Sequence, residues 1–199
     1  MPSIYHSDCC ASKTICNLAK LSFRTKFNGP IKALDPEHLR KEDPIDLDII
    51  DESLYYFKSI VFFNQFEITN DSDRNLIYLT LFIIECLKLL SKNFFINFIF
   101  DYRKAVNRKQ ACQELINFST NTFAIPGDAN FPLNHLFQKP KSNDEMDELR
   151  SYLGQMRQEC SSRLIDIAWP AEEDSPSKWW ICFSKRKFIN LTLNEINMY

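Results

Sequence analysis

The sequence predicts an all-α fold. It reads as a single compact domain of about five helices, one central and enclosed by the others, with an extended N-terminal arm. Three observations predict it. Residues 76–90 are apolar nearly all round, as a helix covered on every side must be. Leu149, Leu153, Met156, Cys160, Leu164 and Ile167 recur at i+3 and i+4 spacings and form one clean stripe. Only 3 Gly occur in 199 residues, too few for glycine-rich turn networks or phosphate loops. The length suits one domain with a large core, and the 17 Phe and 7 Tyr would fill it.

Residues 1–43 show weak periodicity and are broken at Gly29-Pro30, so they read as an extended arm laid on something else. Asp43-Pro44 offers an N-cap and a first-turn proline for a helix over 45–63. Ile49, Ile50, Leu54, Phe57, Ile60 and Val61 share one face of it, and its acidic residues read as a solvated side. Residues 70–73, Asn-Asp-Ser-Asp, form a capping cluster ahead of the apolar run. Glu85 is the lone acid among these apolar positions and reads as a partner-paired or rim carboxylate. Residues 93–102 are aromatic and β-prone. A further helix is expected over 103–118. Residues 123–140 form a proline-rich loop with apolar anchors that must pack on this core or on a partner.

Ser142 caps the helix expected over 143–167, with Arg150, Arg157 and Arg163 placed off its stripe on the wet side. Ser175-Pro176 starts a short helix over 178–188 with Trp179, Trp180 and Phe183 at core spacing. Lys185, Arg186 and Lys187 end it, where cations favour the negative pole of the helix dipole.

The first residues carry no apolar signal segment, so the 7 cysteines are expected to be free thiols in the cytoplasm. Their spacing contains no C-x-x-C, so no metal site is expected; His6, Cys9, Cys10 and Cys16 are the nearest approach to one. Glu85, Lys88 and Lys92 interrupt the longest apolar stretch, which argues against a membrane span. No nucleophile elbow, Walker loop, zinc-helix motif or dinucleotide fingerprint occurs. His6, His38 and His135 fall in expected loops away from any nucleophile. No catalytic residue, cofactor or enzyme activity is therefore assigned. The overall charge of −2 excludes a globally basic nucleic-acid protein. Aromatic residues beside Lys and Arg at 179–187 leave one alternative, a helical nucleic-acid-binding module. The same composition suits a protein interface.

Five segments carry a family resemblance: DIIDESLYYFKSIVFF (48–63), DRNLIYLTLFIIECLK (73–88), FAIPGDANFPLN (123–134), SYLGQMRQE (151–159) and PSKWWICFSKRKF (176–188). In this order and spacing, the chain resembles the 21-kilodalton subunit 3 family of the actin-related protein 2/3 complex, a seven-part nucleator of branched actin. The opening Met1-Pro2 with Tyr5-His6-Ser7 is also similar to the family's start. Residues 91–111 diverge, as a lineage-specific insertion or translated intron sequence, and so does the tail from Asn190. The resemblance implies an all-α, non-catalytic structural subunit without cofactor or metal. The other subunits of the complex are its partners, chiefly the third actin-related protein, with actin filaments reached through the complex. It also implies a place in the cytoplasmic actin cytoskeleton and in cell projections. It transfers no short motif. The interface candidates rest on composition: Phe123, Ile125, Phe131 and Leu133 in the loop, then Trp179, Trp180, Lys185, Arg186 and Lys187. The competing reading puts both tryptophans in the core and leaves the cations as a helix end.

Overall fold

The computed structural model describes residues 5–32, 47–100, 107–173 and 175–193, with only the backbone of 93–100. Two short strands come first, β1 (Thr14–Ile15) and β2 (Leu18–Ala19). Five helices follow: α1 (Ile49–Ile60), α2 (Ser72–Phe100), α3 (Arg108–Thr120), α4 (Asn143–Ala168) and α5 (Lys178–Ile181). A 3-10 turn, Cys182–Lys185, continues α5.

The strands correct the all-α expectation. β1 and β2 pair antiparallel, Thr14 opposite Ala19 and Ile15 opposite Leu18. Between them Cys16 and Asn17 both hold positive φ, 50° and 56°. A two-residue turn of that conformation matches the twist of a hairpin. Asparagine tolerates it, but cysteine gives no such signal, so the usual Asn-Gly mark was missing.

Capping explains the helix starts. Asp43-Pro44 lies outside the described residues; the cap of α1 is Asp48, which accepts from the backbone N–H groups of Ile50 and Asp51. Asn70 and Asp73 satisfy one another ahead of α2: Asn70 Oδ1 accepts from Asp73 N–H at 2.9 Å and Asp73 Oδ2 from Asn70 N–H at 3.3 Å. Asn107 caps α3, which begins later than sequence reasoning expected; residues 103–106 lie outside the described residues. Ser142 caps α4 through Glu145 N–H, as the sequence predicts.

α2 packs against the other four helices, the 3-10 turn and β2. Its residues from Leu76 to Leu87 are buried, Glu85 among them. Glu85 is paired with Lys88 at 2.6 Å, one turn along. The helix runs on through the aromatic stretch that sequence reasoning set apart. The arm lies along α2 and α4. Tyr152 Oη accepts from Leu21 N–H at 3.1 Å, and Asn75 Nδ2 donates to Ala19 O at 3.0 Å. Burial raises the Tyr152 phenol to about 12, so it stays neutral in this role. Gln155 holds the arm farther along, accepting from Ile31 N–H and donating to the carbonyls of Phe27 and Ile31.

Arg157 is a second correction. It is 1% exposed rather than on the wet side of α4. Its guanidinium lies over the rings of Phe123, Phe82 and Phe118, 4.1, 4.6 and 5.4 Å from their centroids. It also donates to Phe118 O at 3.2 Å. Three aromatic faces and a carbonyl replace the water this cation would lose. Ile167, read as the last residue of the core stripe, is exposed at the end of α4.

Candidate interaction surface

α1 turns two faces to different surroundings. Ile49, Ile50, Phe57 and Ile60 are fully buried, whereas Tyr55 and Phe62 just beyond the helix end are 73% and 54% exposed. α5 and the 3-10 turn lie across the C-terminal end of α1 through aromatic contacts. Trp180 stacks on Phe57 with centroids 5.7 Å apart and planes 14° from parallel. Phe183 meets Phe57 edge-on at 5.6 Å, and Phe62 meets Phe183 edge-on at 5.9 Å. The result is a ladder of four rings, Trp180–Phe57–Phe183–Phe62, sunk at Phe57 and open at Phe62.

A cation caps each end. Lys58 Nζ sits 4.5 Å from the Trp180 centroid, and the Arg186 guanidinium 5.0 Å from that of Phe62. Contacts of this kind hold a long side chain in place while its N–H groups still face outward. Lys178, Lys185 and Lys187 add three exposed cations from the same segment. None of the five pairs with a described carboxylate. The acids of α1 point elsewhere. Asp51 pairs with Arg24 and with Arg163, and Glu52 accepts from Ser7 and Asp8.

The sequence-derived candidates divide. Trp180 is 7% exposed and belongs to the ladder, whereas Trp179 is 79% exposed. Lys185, Arg186 and Lys187 are exposed beside it. Phe123, Ile125, Phe131 and Leu133 are buried within this chain, Leu133 completely. Their loop is anchored on the hairpin, where Gln138 N–H donates to Asn17 Oδ1 and Asn17 Nδ2 donates to Leu136 O. Tyr55, Lys58 and Phe62 were missed. The available signal was their i+3 and i+4 recurrence on a flank of α1 about 100° round from Ile50, Leu54 and Phe57.

The titratable groups away from this face serve structure. Asp48 is held below the usual carboxylate range: burial opposes its charge, but Arg163, by hydrogen bond and charge, and the backbone N–H groups of Arg24 and Asp51 together outweigh it. Arg163 also bonds Glu159 and Asp51, joining α4 to α1. Burial raises the Cys9 and Cys16 thiols to about 11 and about 12, which keeps them poor nucleophiles. His6 bonds Asp73 at 3.0 Å, and His135 is exposed; His38 lies outside the described residues. Among the described residues no three His, Cys, Asp or Glu side chains are grouped to hold a metal ion, and no helix is long and apolar enough to cross a membrane.

Comparison with known proteins gives one answer. The family described as P21-Arc: ARP2/3 complex ARPC3 (21 kDa) subunit matches residues 1–193. The chain is 40% identical over 180 residues to actin-related protein 2/3 complex subunit 3 of Schizosaccharomyces pombe, covering 90% of this chain and 91% of the relative. It is 39% identical over 175 residues to the Caenorhabditis elegans protein named "Probable actin-related protein 2/3 complex subunit 3", covering 87% and 84%. The Dictyostelium discoideum subunit 3 is 36% identical over 193 residues, covering 96% and 99%.

Proposed function

Since the chain belongs to the family of the 21 kDa subunit of the ARP2/3 complex, we propose that its cation-capped aromatic face is where it meets a neighbouring subunit of that complex, chiefly the third actin-related protein. The chain is a structural subunit of the actin-nucleating complex and works in the cytoplasmic actin cytoskeleton. Its contribution is surface burial that stabilises the assembled arrangement, with no reaction on its own residues. Actin filaments are reached through the complex, and cell projections are where branched filaments would require it. The nucleic-acid alternative gains nothing from the relatives, which are all named as subunits of this complex.

One observation carries this reading. Lys185, Arg186 and Lys187 stand exposed in the same segment as Trp179, itself 79% exposed, and Arg186 lies over Phe62, which is 54% exposed. Aromatic and arginine side chains at a desolvated contact are the usual energetic centre of a protein interface. The test reverses all three cations to glutamate in the tagged chain and measures recovery of the other subunits on affinity purification. The expected result is weaker co-purification and reduced branching with unchanged thermal unfolding of the chain. Normal recovery and branching would remove the three residues from the interface.

A further inference from the structure

The ladder of rings has two ends, and each end carries a cation in a defined position. We propose that Lys58 and Arg186 are paired carboxylate receptors, and that the face between them docks an acidic segment of a neighbouring protein bearing a bulky apolar anchor. This rests on the reading that the face is a subunit contact, and adds the chemistry of what it contacts.

Three observations support the choice of partner. The chain is slightly acidic overall, at −2, yet five cations stand together here without an ion pair to a described carboxylate. The acids of α1, Asp51 and Glu52, are already engaged on the arm and α4 side, and Glu172 and Glu173, exposed ahead of α5, form no ion pair with any of the five. The face therefore keeps its positive charge, which calls for negative charge in whatever covers it. Between the cations, Phe62 leaves 54% of its surface exposed, and Phe183 is half-buried beside it. An apolar side chain seated there would complete the burial that the ladder begins.

Lys58 and Arg186 are also the two of the five whose charged ends rest over a ring. A lysine in solvent must surrender its rotamer freedom to form an ion pair. Lys58 lies over Trp180 and Arg186 over Phe62, so part of that loss is already met in the free chain. Lys185 and Lys187 have no such support and would act as general field.

The test compares two neutral pairs in the full chain, Lys58→Met with Arg186→Met, and Lys185→Met with Lys187→Met. Methionine keeps a long apolar stem on the ring and removes the charge. Each is titrated into the reconstituted complex lacking this subunit, across a range of salt. The 58/186 pair should weaken binding by about tenfold or more and flatten its salt dependence, while the 185/187 pair changes it by less than about threefold. Lys58→Arg with Arg186→Lys should restore most of the affinity, and thermal unfolding of the free chain identifies any variant that has lost its fold. Equal losses in the two pairs would overturn the receptor assignment and leave the subunit contact standing. No loss in either pair would overturn both. Retained assembly with lost binding to phosphatidylserine vesicles would replace the protein partner by a lipid surface.

Discussion

Gly29 sits where the arm passes closest to α4, and alanine there should destabilise the chain through one identifiable neighbour. A Cβ at position 29 would lie 2.5 Å from both Cδ and Oε1 of Gln155 and 2.9 Å from its Cβ. Gln155 cannot swing aside freely. Its amide accepts from Ile31 N–H at 2.9 Å and donates to Phe27 O at 2.8 Å and Ile31 O at 2.7 Å. Displacing it breaks all three, at about 1 kcal/mol each, so Gly29→Ala should cost about 3 kcal/mol. For a domain of this size that lowers the unfolding midpoint by about 6–12 °C, measurable by far-ultraviolet circular dichroism. The double-mutant cycle makes the reasoning refutable. Gln155→Ala loses the same three bonds by itself, and in that background alanine at 29 meets only the Cβ. Its further cost should then drop to about 1 kcal/mol, a coupling of about 2 kcal/mol. If alanine at 29 costs as much with Ala at 155 as with Gln, the glycine is required by its backbone and the contact with Gln155 is incidental.

Two further outcomes follow from the same packing. Trp180→Ala removes a buried ring stacked on Phe57 and should cost about 3–5 kcal/mol, whereas Trp179→Ala should stay within about 0.5 kcal/mol of the parent chain; equal losses in chemical denaturation would contradict the division between them. Asp73 accepts from Ser7 N–H and Thr69 N–H, each at 2.8 Å, and these bonds with the His6 contact outweigh burial and hold its carboxyl below the ordinary 3.8. The unfolded chain therefore takes up this proton more readily, so the stability from Asp73 is full above its unfolded value and lost as pH falls through the lower folded one. Unfolding midpoints followed from neutral pH down to about pH 2 should fall less steeply in Asp73→Asn than in the parent, and parallel curves would count against the role.

What was legible in the sequence was what local chemistry determines. α4 begins after Ser142 because a serine ahead of two acids is a capping signal wherever it occurs, and its apolar stripe follows from the 3.6-residue period. The family was legible for a related reason: five separate segments kept their order, and that survives divergence between them. The hairpin was not legible, because its turn uses Cys16 and Asn17 at positive φ without the glycine that announces such turns. Nor was the boundary of the short C-terminal helix, which tightens to 3-10 after Ile181, where contact with α1 takes over from local preference.

Arg157 shows why the rest stayed hidden. A helical wheel assigns an arginine to solvent because its charge is costly to bury, and that inference fails only if several elements supply a substitute for water at one point. Phe82 from α2, Phe118 from α3 and Phe123 from the following loop do so, and none of these is close to Arg157 in sequence. The interaction face has the same origin. Arg186 is a candidate by composition alone and Phe62 gives no signal of its own, one a helix-end cation and the other an apolar residue past a helix. They become a single feature only when α5 and the 3-10 turn fold back onto the end of α1. A cation on an aromatic ring in the interior thus stabilises three packed elements, and the same pairing at the surface leaves a fixed charge for something else to meet. What separates the two is the presence of a third layer above the ring. α2, α3 and the 123–140 loop together enclose Arg157, while Phe62 stays 54% exposed among the described residues, and a subunit that works by being covered would need such a place.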